Sequence, residues 1–309
     1  MCWWSRALSL APLPTPLGGT SDSPARYNSV RGRTRDLASG AASREHYAGR
    51  VREAEMIIDA DCHISPTPES AVSIGIEELL RRMDRSGIEK ALTWLQPPYR
   101  REIEEANAYV YQATRRYPDR ILGFGWADPN LGVEKAIAAA RRCIEEYGFY
   151  GVKLNGAQNS FYIDDPELSL PVIREVARLG SRLAFHVGAD AFEHTHPFRV
   201  AKIAAEYPGL PILAVHMGGV GHADLTNAMI EFAQQRPNIT LIGSGVREVA
   251  VLKAIRTLGA SRVCFGSDTP FSLMHVEVAK YHALLDGEVT AEEKDLIMGG
   301  NIARLFGLP

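Results

Sequence analysis

No apolar run in this 309-residue chain approaches the roughly 18 residues that a membrane-spanning helix requires, so no membrane partner is expected. Cysteine is scarce. Cys2, Cys62, Cys143 and Cys264 stand far apart with no CxxC pair, which excludes a secreted disulfide framework and fits reduced thiols in a cytoplasmic protein. Charge of one sign is missing too: a net of −3 gives no electrostatic reason for nucleic acid or an anionic membrane as partner. With 46% hydrophobic and 23% charged residues the chain reads as a soluble globular protein, long enough for one large α/β domain or two small ones.

Lysine is absent from residues 1–55, which carry eight Arg, seven Ser and five acids, a net of +3 against −6 for residues 56–309. Pro12, Pro14 and Pro16 break the only apolar start, so a secretory signal fits poorly. An Arg- and Ser-rich transit peptide is one reading, and an over-extended reading frame whose true start is Met56 is the preferred one. In both, a segment without period or apolar content is expected to be a disordered extension.

From Met56 onward one unit repeats: a short β-rich run, a polar turn, then ten or more residues of helical period. Strands are expected at 56–60, 89–95, 120–126, 149–154, 182–187, 211–216, 238–242 and 262–267, with helices such as 101–117, 131–147 and 222–235 between them. Gly or Pro marks most helix exits, as at Gly87, Pro118, Gly148 and Gly180. Strands alternating with helices imply parallel pairing through right-handed crossovers. Eight units in about 250 residues predict a (β/α)8 TIM barrel over 56–309, with its active site at the C-terminal strand ends. A doubly wound open sheet is the competing arrangement.

The polar residues concentrate at that end. In "IIDADCHI" (57–64), Asp59, Asp61 and His63 fall two apart, so strict alternation sends all three to one face. Lys153 ends the fourth strand, His186 the fifth and His216 the sixth, and Asp268 follows the eighth. One such residue is ordinary, but several at separate strand ends converge on a barrel's mouth. Asp61, His63, His186 and Asp268 offer a mixed nitrogen and oxygen set suited to one divalent ion: Zn2+ first, with Mn2+ or Fe2+ as alternatives.

The stretches "IDADCHI", "GVKLNG", "LAFHVG", "ILAVHMGG", "CFGSDTPF" and "IMGGNIARLFGL" resemble the amidohydrolase superfamily, and more narrowly the amidohydrolase-related group that includes aminocarboxymuconate-semialdehyde decarboxylase. The resemblance implies a mononuclear metal site with Asp61, His63, His186 and Asp268 as ligands, and His216 as catalytic acid/base beside Asp268. One departure stands out: the family's usual His-x-His is here Asp61-Cys62-His63. Two carboxylates neutralise a divalent cation fully, which acidifies its bound water less and tilts the site toward harder ions.

The reading that follows is a metal-dependent hydrolase acting on a small molecule by metal-activated water, with non-oxidative decarboxylation of a small unsaturated or aromatic acid as the alternative. A Schiff-base aldolase built on Lys153 is a further, distinct class. Lys153, Asn155, His194, His196 and His222 are candidate substrate contacts, Trp94 and Trp126 are pocket wall or core, and Asp59 supports the site rather than ligating. Partners reduce to the small-molecule substrate, with a homodimer as the assembly to test.

Overall fold

The β-branched and aromatic runs between turn signals all become strands in the computed structural model, which describes residues 56–67, 71–97, 102–188 and 190–309. The expected disordered extension, residues 1–55, lies outside the described residues. The strands are β1 (Ile58–Ile64), β2 (Lys90–Leu95), β3 (Ile121–Gly123), β4 (Gly125–Trp126), β5 (Gly151–Leu154), β6 (Arg182–His186), β7 (Ile212–Val215), β8 (Ile239–Ile242) and β9 (Val263–Cys264). Helices α1 (Ile76–Ser86), α2 (Ile103–Arg116), α3 (Val133–Arg141), α4 (Gly156–Asn159), α5 (Ser169–Arg178), α6 (Pro197–Glu206), α7 (Ala223–Gln235), α8 (Glu248–Leu258), α9 (Met274–Leu285), α10 (Ala291–Asp295) and α11 (Asn301–Phe306) complete the chain.

Every strand pairing is parallel and follows chain order. The expected strand at 120–126 is split at Phe124 into β3 and β4, and Phe124 N–H donates to the Thr93 carbonyl at 3.0 Å, which keeps the two halves on one line. The last strand meets the first through Ala60 N–H to Phe265 O (3.1 Å), His63 N–H to Thr269 O (2.7 Å) and a bridge between Cys62 and Thr269. Eight strands, one of them interrupted, thus close as the expected TIM barrel. No helix among the described residues is long and apolar enough to cross a membrane.

The helices form for local reasons. In α1, Ile76, Leu79 and Met83 fall on one buried stripe, Glu77 and Glu78 occupy the first turn, and Gly87 at φ 69° ends the helix. Two packed layers result. Outside the barrel, strand residues such as Cys62, Ile64 and Val152 pack against the helices; inside, Ile58, Ala60, Leu92, Leu213 and Val215 meet Ile302 and Phe306 of α11, which plugs the floor. Phe306 stacks on Tyr150 at 4.5 Å.

These two layers correct the reading of β1. Ile58 and Ala60 belong to the interior, yet Cys62 and Ile64 belong to the outer layer, because the register shifts between Asp59 and Cys62. A bulge breaks the two-residue period. Asp61 and His63 therefore turn inward, whereas Asp59 turns outward and its Oδ1 accepts from Asp61 N–H (3.0 Å) and Ser267 N–H (2.8 Å). Asp59 is a clamp between the first strand and the segment after the last.

Burial raises the Asp59 carboxyl to about 6, against the hydrogen bonds from Ser267 and Asp61. A folded-state pKa above the unfolded one means that stability falls as pH rises from about 4 to 6 and is level beyond. Asp59→Ala strands two buried donors and is expected to lower stability by about 2–4 kcal/mol in urea unfolding. Asp59→Asn keeps an accepting oxygen and should lose less, with its deficit against the native chain shrinking between pH 4 and 7, since Asn carries no proton to lose.

Candidate metal centre

Three donors from the two edges of the closing barrel meet at its mouth. One oxygen of Asp61, a nitrogen of His63 and an oxygen of Asp268 all lie within 4.8 Å of one another. His63 Nε2 is 3.4 Å from Asp61 Oδ1 and 3.7 Å from Asp268 Oδ1. The imidazole is oriented from behind: its Nδ1 lies 2.8 Å from the Leu95 carbonyl, which can only accept, so Nδ1 carries the proton and Nε2 the lone pair. Trp94 Nε1–H donates to that lone pair at 3.0 Å, a contact that a metal ion on Nε2 would displace.

Lys153, inward on β5, is fully buried, with Nζ 3.9 Å from Asp61 Oδ1, 3.7 Å from the centre of the Trp94 ring and 5.4 Å from that of Trp126. Both tryptophans are fully buried and pack on this ammonium. His186 ends β6 with its ring centre 4.7 Å from that of His216, so it stands one step outside the close cluster of three. His216 Nδ1 lies 3.9 Å from Asp61 Oδ2 and 3.0 Å from the Ser244 carbonyl. His216, Met217 and Asp268 adopt left-handed backbone, φ 64°, 49° and 58°. Such conformations are costly for residues with a Cβ and persist where the surroundings impose them, often at functional sites.

The electrostatics are those of charge drawn out of water. Burial pushes the Asp61 carboxyl up, but Lys153, His63 and His216 together hold it well below the usual range. Burial, then Asp61, drives Asp268 well above it. Burial lowers Lys153 to about 8, against Asp61 and Asp268, and depresses His63, His186 and His216, with Lys153 adding to the effect. Asp61 Oδ1, His186 Nε2 and Lys153 Nζ are buried without a hydrogen-bond partner among the described residues. Two carboxylates and two imidazole nitrogens around such orphaned atoms match a divalent cation in donor chemistry.

The remaining candidates divide from this cluster. Asn155 is buried but spends its side chain capping α4, accepting from Gln158 N–H at 3.1 Å. His196 caps α6 through Nδ1, which accepts from Phe198 N–H at 3.1 Å. His194 packs its ring on Tyr162 at 4.7 Å, and His222, exposed ahead of α7, lies 5.6 Å from the Phe192 ring. Among the described residues no hydrogen bond joins these four to the cluster. Two participants were missed from sequence: Ser244, whose hydroxyl donates to Asp61 Oδ2 at 2.5 Å, and Phe271, whose ring lies 5.5 Å from that of His63. Their signal was position alone, a polar residue two past β8 and an aromatic three residues past Asp268.

Comparison with known proteins identifies the family. The amidohydrolase family profile matches residues 58–308. The chain is 24% identical over 253 residues to 2-amino-3-carboxymuconate-6-semialdehyde decarboxylase of Dictyostelium discoideum, covering 70% of this chain and 69% of that one. It is 26% identical over 288 residues to gamma-resorcylate decarboxylase of Rhodococcus jostii, covering 74% and 86%. Among solved structures, 5-carboxyvanillate decarboxylase of Novosphingobium aromaticivorans, complexed with manganese and 4-hydroxy-3-methoxy-5-nitrobenzoic acid, superposes with a TM-score of 0.67 at 19% identity over 82% of this chain and 97% of that one. With its barrel, its mouth-side donors and a family match spanning nearly all described residues, this chain belongs to the amidohydrolase family of enzymes.

Proposed function

We propose that this protein is a metal-dependent decarboxylase of a small aromatic or unsaturated carboxylic acid. This reverses the order of the sequence reading, which put hydrolysis first. The observation that carries it is Lys153: a buried ammonium facing the donor cluster, held between two indoles, with no hydrogen-bond partner among the described residues. Lys153 already offsets part of the Asp61 charge, and an acid substrate would bring further anionic oxygens to meet it. Trp94 and Phe271, whose rings each pack edge-on with His63, supply apolar surface for a flat ring in this reading. The decarboxylase names of the relatives support the same choice.

Asp61, His63, His186 and Asp268 hold the cation in this reading. When bound, it supplies a positive anchor for the substrate's carboxylate and adjoining oxygen. Two carboxylates among four donors favour a hard ion, so Mn2+ replaces Zn2+ as first choice, in keeping with the manganese of the solved neighbour. His216, with Nδ1–H committed to the Ser244 carbonyl, presents Nε2 to the reacting carbon. His216 first takes a second proton from solvent on Nε2, with Asp61 offsetting the charge against burial; the bond from that carbon to the carboxylate then breaks, its electron pair takes that proton, carbon dioxide departs, and His216 returns to its Nδ1–H form. Asp268 is the second acid/base group at the mouth, and Lys153 orients the substrate.

With Mn2+ supplied, a panel of hydroxybenzoates and unsaturated acids should release carbon dioxide, while lactones and amides tested alongside stay intact. Turnover of a lactone or amide with no carbon dioxide from any acid would replace this reading by the hydrolase. Site variants divide binding from chemistry. His186→Ala and Asp268→Ala should each lose metal on dialysis, measured by elemental analysis, since each removes a ligand. His216→Asn should keep its metal and bind substrate within a few-fold, yet turn over at least about a hundredfold more slowly. Metal loss in that variant would make His216 a ligand.

A further inference from the structure

Ser244 ends the segment after β8 and is fully buried. Its hydroxyl proton points to Asp61 Oδ2, 2.5 Å away. With that proton committed, the oxygen can only accept, and His216 Nδ1 lies 3.1 Å from it. The Ser244 carbonyl, 3.0 Å from the same nitrogen, can only accept as well. Both contacts require the proton on Nδ1. One residue thus forms a directed chain of donors from His216 through its hydroxyl to Asp61.

The other oxygen of Asp61 is treated differently. Oδ1 has no hydrogen-bond partner among the described residues and faces His63 Nε2 at 3.4 Å. One oxygen is occupied and one is free. This division answers the departure from His-x-His: an imidazole offers one ligand atom, but a carboxylate offers two and can rotate between them. The backbone leaves room for the arrangement at Gly266, where a Cβ would meet Ile242 Cγ2 at 2.7 Å and Asp61 Cβ at 3.1 Å.

We infer that Ser244 is a positioning residue whose hydroxyl holds Asp61 as a one-oxygen ligand and whose hydroxyl and carbonyl together fix the Nδ1–H form of His216. Its role in turnover rests on the decarboxylase reading; its role toward the metal rests on the geometry alone. A partner behind a ligand typically changes metal affinity by about 10–100-fold.

The test is a double-mutant cycle read by Mn2+ titration calorimetry and by the electron paramagnetic resonance spectrum of the bound Mn2+. Ser244→Ala should weaken Mn2+ binding by about 10–100-fold and alter the spectrum, because Asp61 is free to offer both oxygens. Ser244→Thr, which retains the hydroxyl, should stay within about threefold of the native protein. In an Asp61→His background the oxygen that Ser244 holds is gone, so adding Ser244→Ala should cost less than about threefold. At saturating Mn2+, Ser244→Ala should lower kcat by about tenfold or more while KM stays within a few-fold. Native Mn2+ affinity in Ser244→Ala, or an equal loss in both backgrounds, would overturn the inference by making Ser244 mere packing. If the native protein decarboxylates no acid, the proposed function fails by itself, and the Mn2+ titrations still decide the role of Ser244.

Discussion

A carboxylate with no exposed surface organises the mouth of this barrel. Asp61 is fully buried, and a charge removed from water must be compensated by its surroundings or neutralised. Its surroundings answer from its own strand and from three others. His63 comes from the same strand, Lys153 from β5, His216 from the end of β7 and Ser244 from the end of β8, each within 3.9 Å of one of its oxygens. Removing the charge would leave Lys153 as an uncompensated buried cation. The site is therefore a set of mutually dependent groups, and the position where the family pattern most often has His is the one about which this chain has rearranged.

Much of this was legible in the sequence because the barrel couples two simple periods. A β-rich run of five to seven residues followed by helical spacing locates each strand end, and strand ends locate the mouth; His63, Lys153, His186, His216 and Asp268 all fall there as expected. What was not legible depends on contacts across the fold. The alternation of β1 fails at a bulge, and a bulge is imposed by pairing with β2, not by the residues of β1 alone. Ser244 looks like any loop serine until the β9 segment closes on β1 and brings Asp61 within reach of the end of β8. Asn155 and His196 were visible as polar residues after strands, but each is the cap of the next helix, a local need that sequence patterns share with binding. The choice between hydrolysis and decarboxylation lay further from reach, since the same donors serve both and the difference lies in what faces them.

The lysine illustrates how one residue's meaning changes with its neighbours. On spacing alone Lys153 suits a Schiff base or a substrate contact. Flanked by Trp94 and Trp126 it is screened from solvent on its faces, and burial alone lowers it to about 8 despite two nearby carboxylates. The same indole that covers the ammonium also hydrogen-bonds to His63, so Trp94 ties the cationic side of the site to its ligand side.

The join between the first and last strands has a consequence for how the chain reaches this state. Asp59 meets the backbone of Ser267 across 208 positions of sequence, and Asp61, His63 and Asp268 sit along the same join. Contacts of such separation carry the largest loop-closure cost and are favoured only after the intervening units have shortened the path between them. Until that last closure the two carboxylates and their imidazole remain open to water on one unfinished edge. Desolvation of the charge cluster is thereby postponed until almost all of the apolar core is in place to offset it. A barrel whose charged cluster lay within a single early hairpin would have to bury it with little of that support.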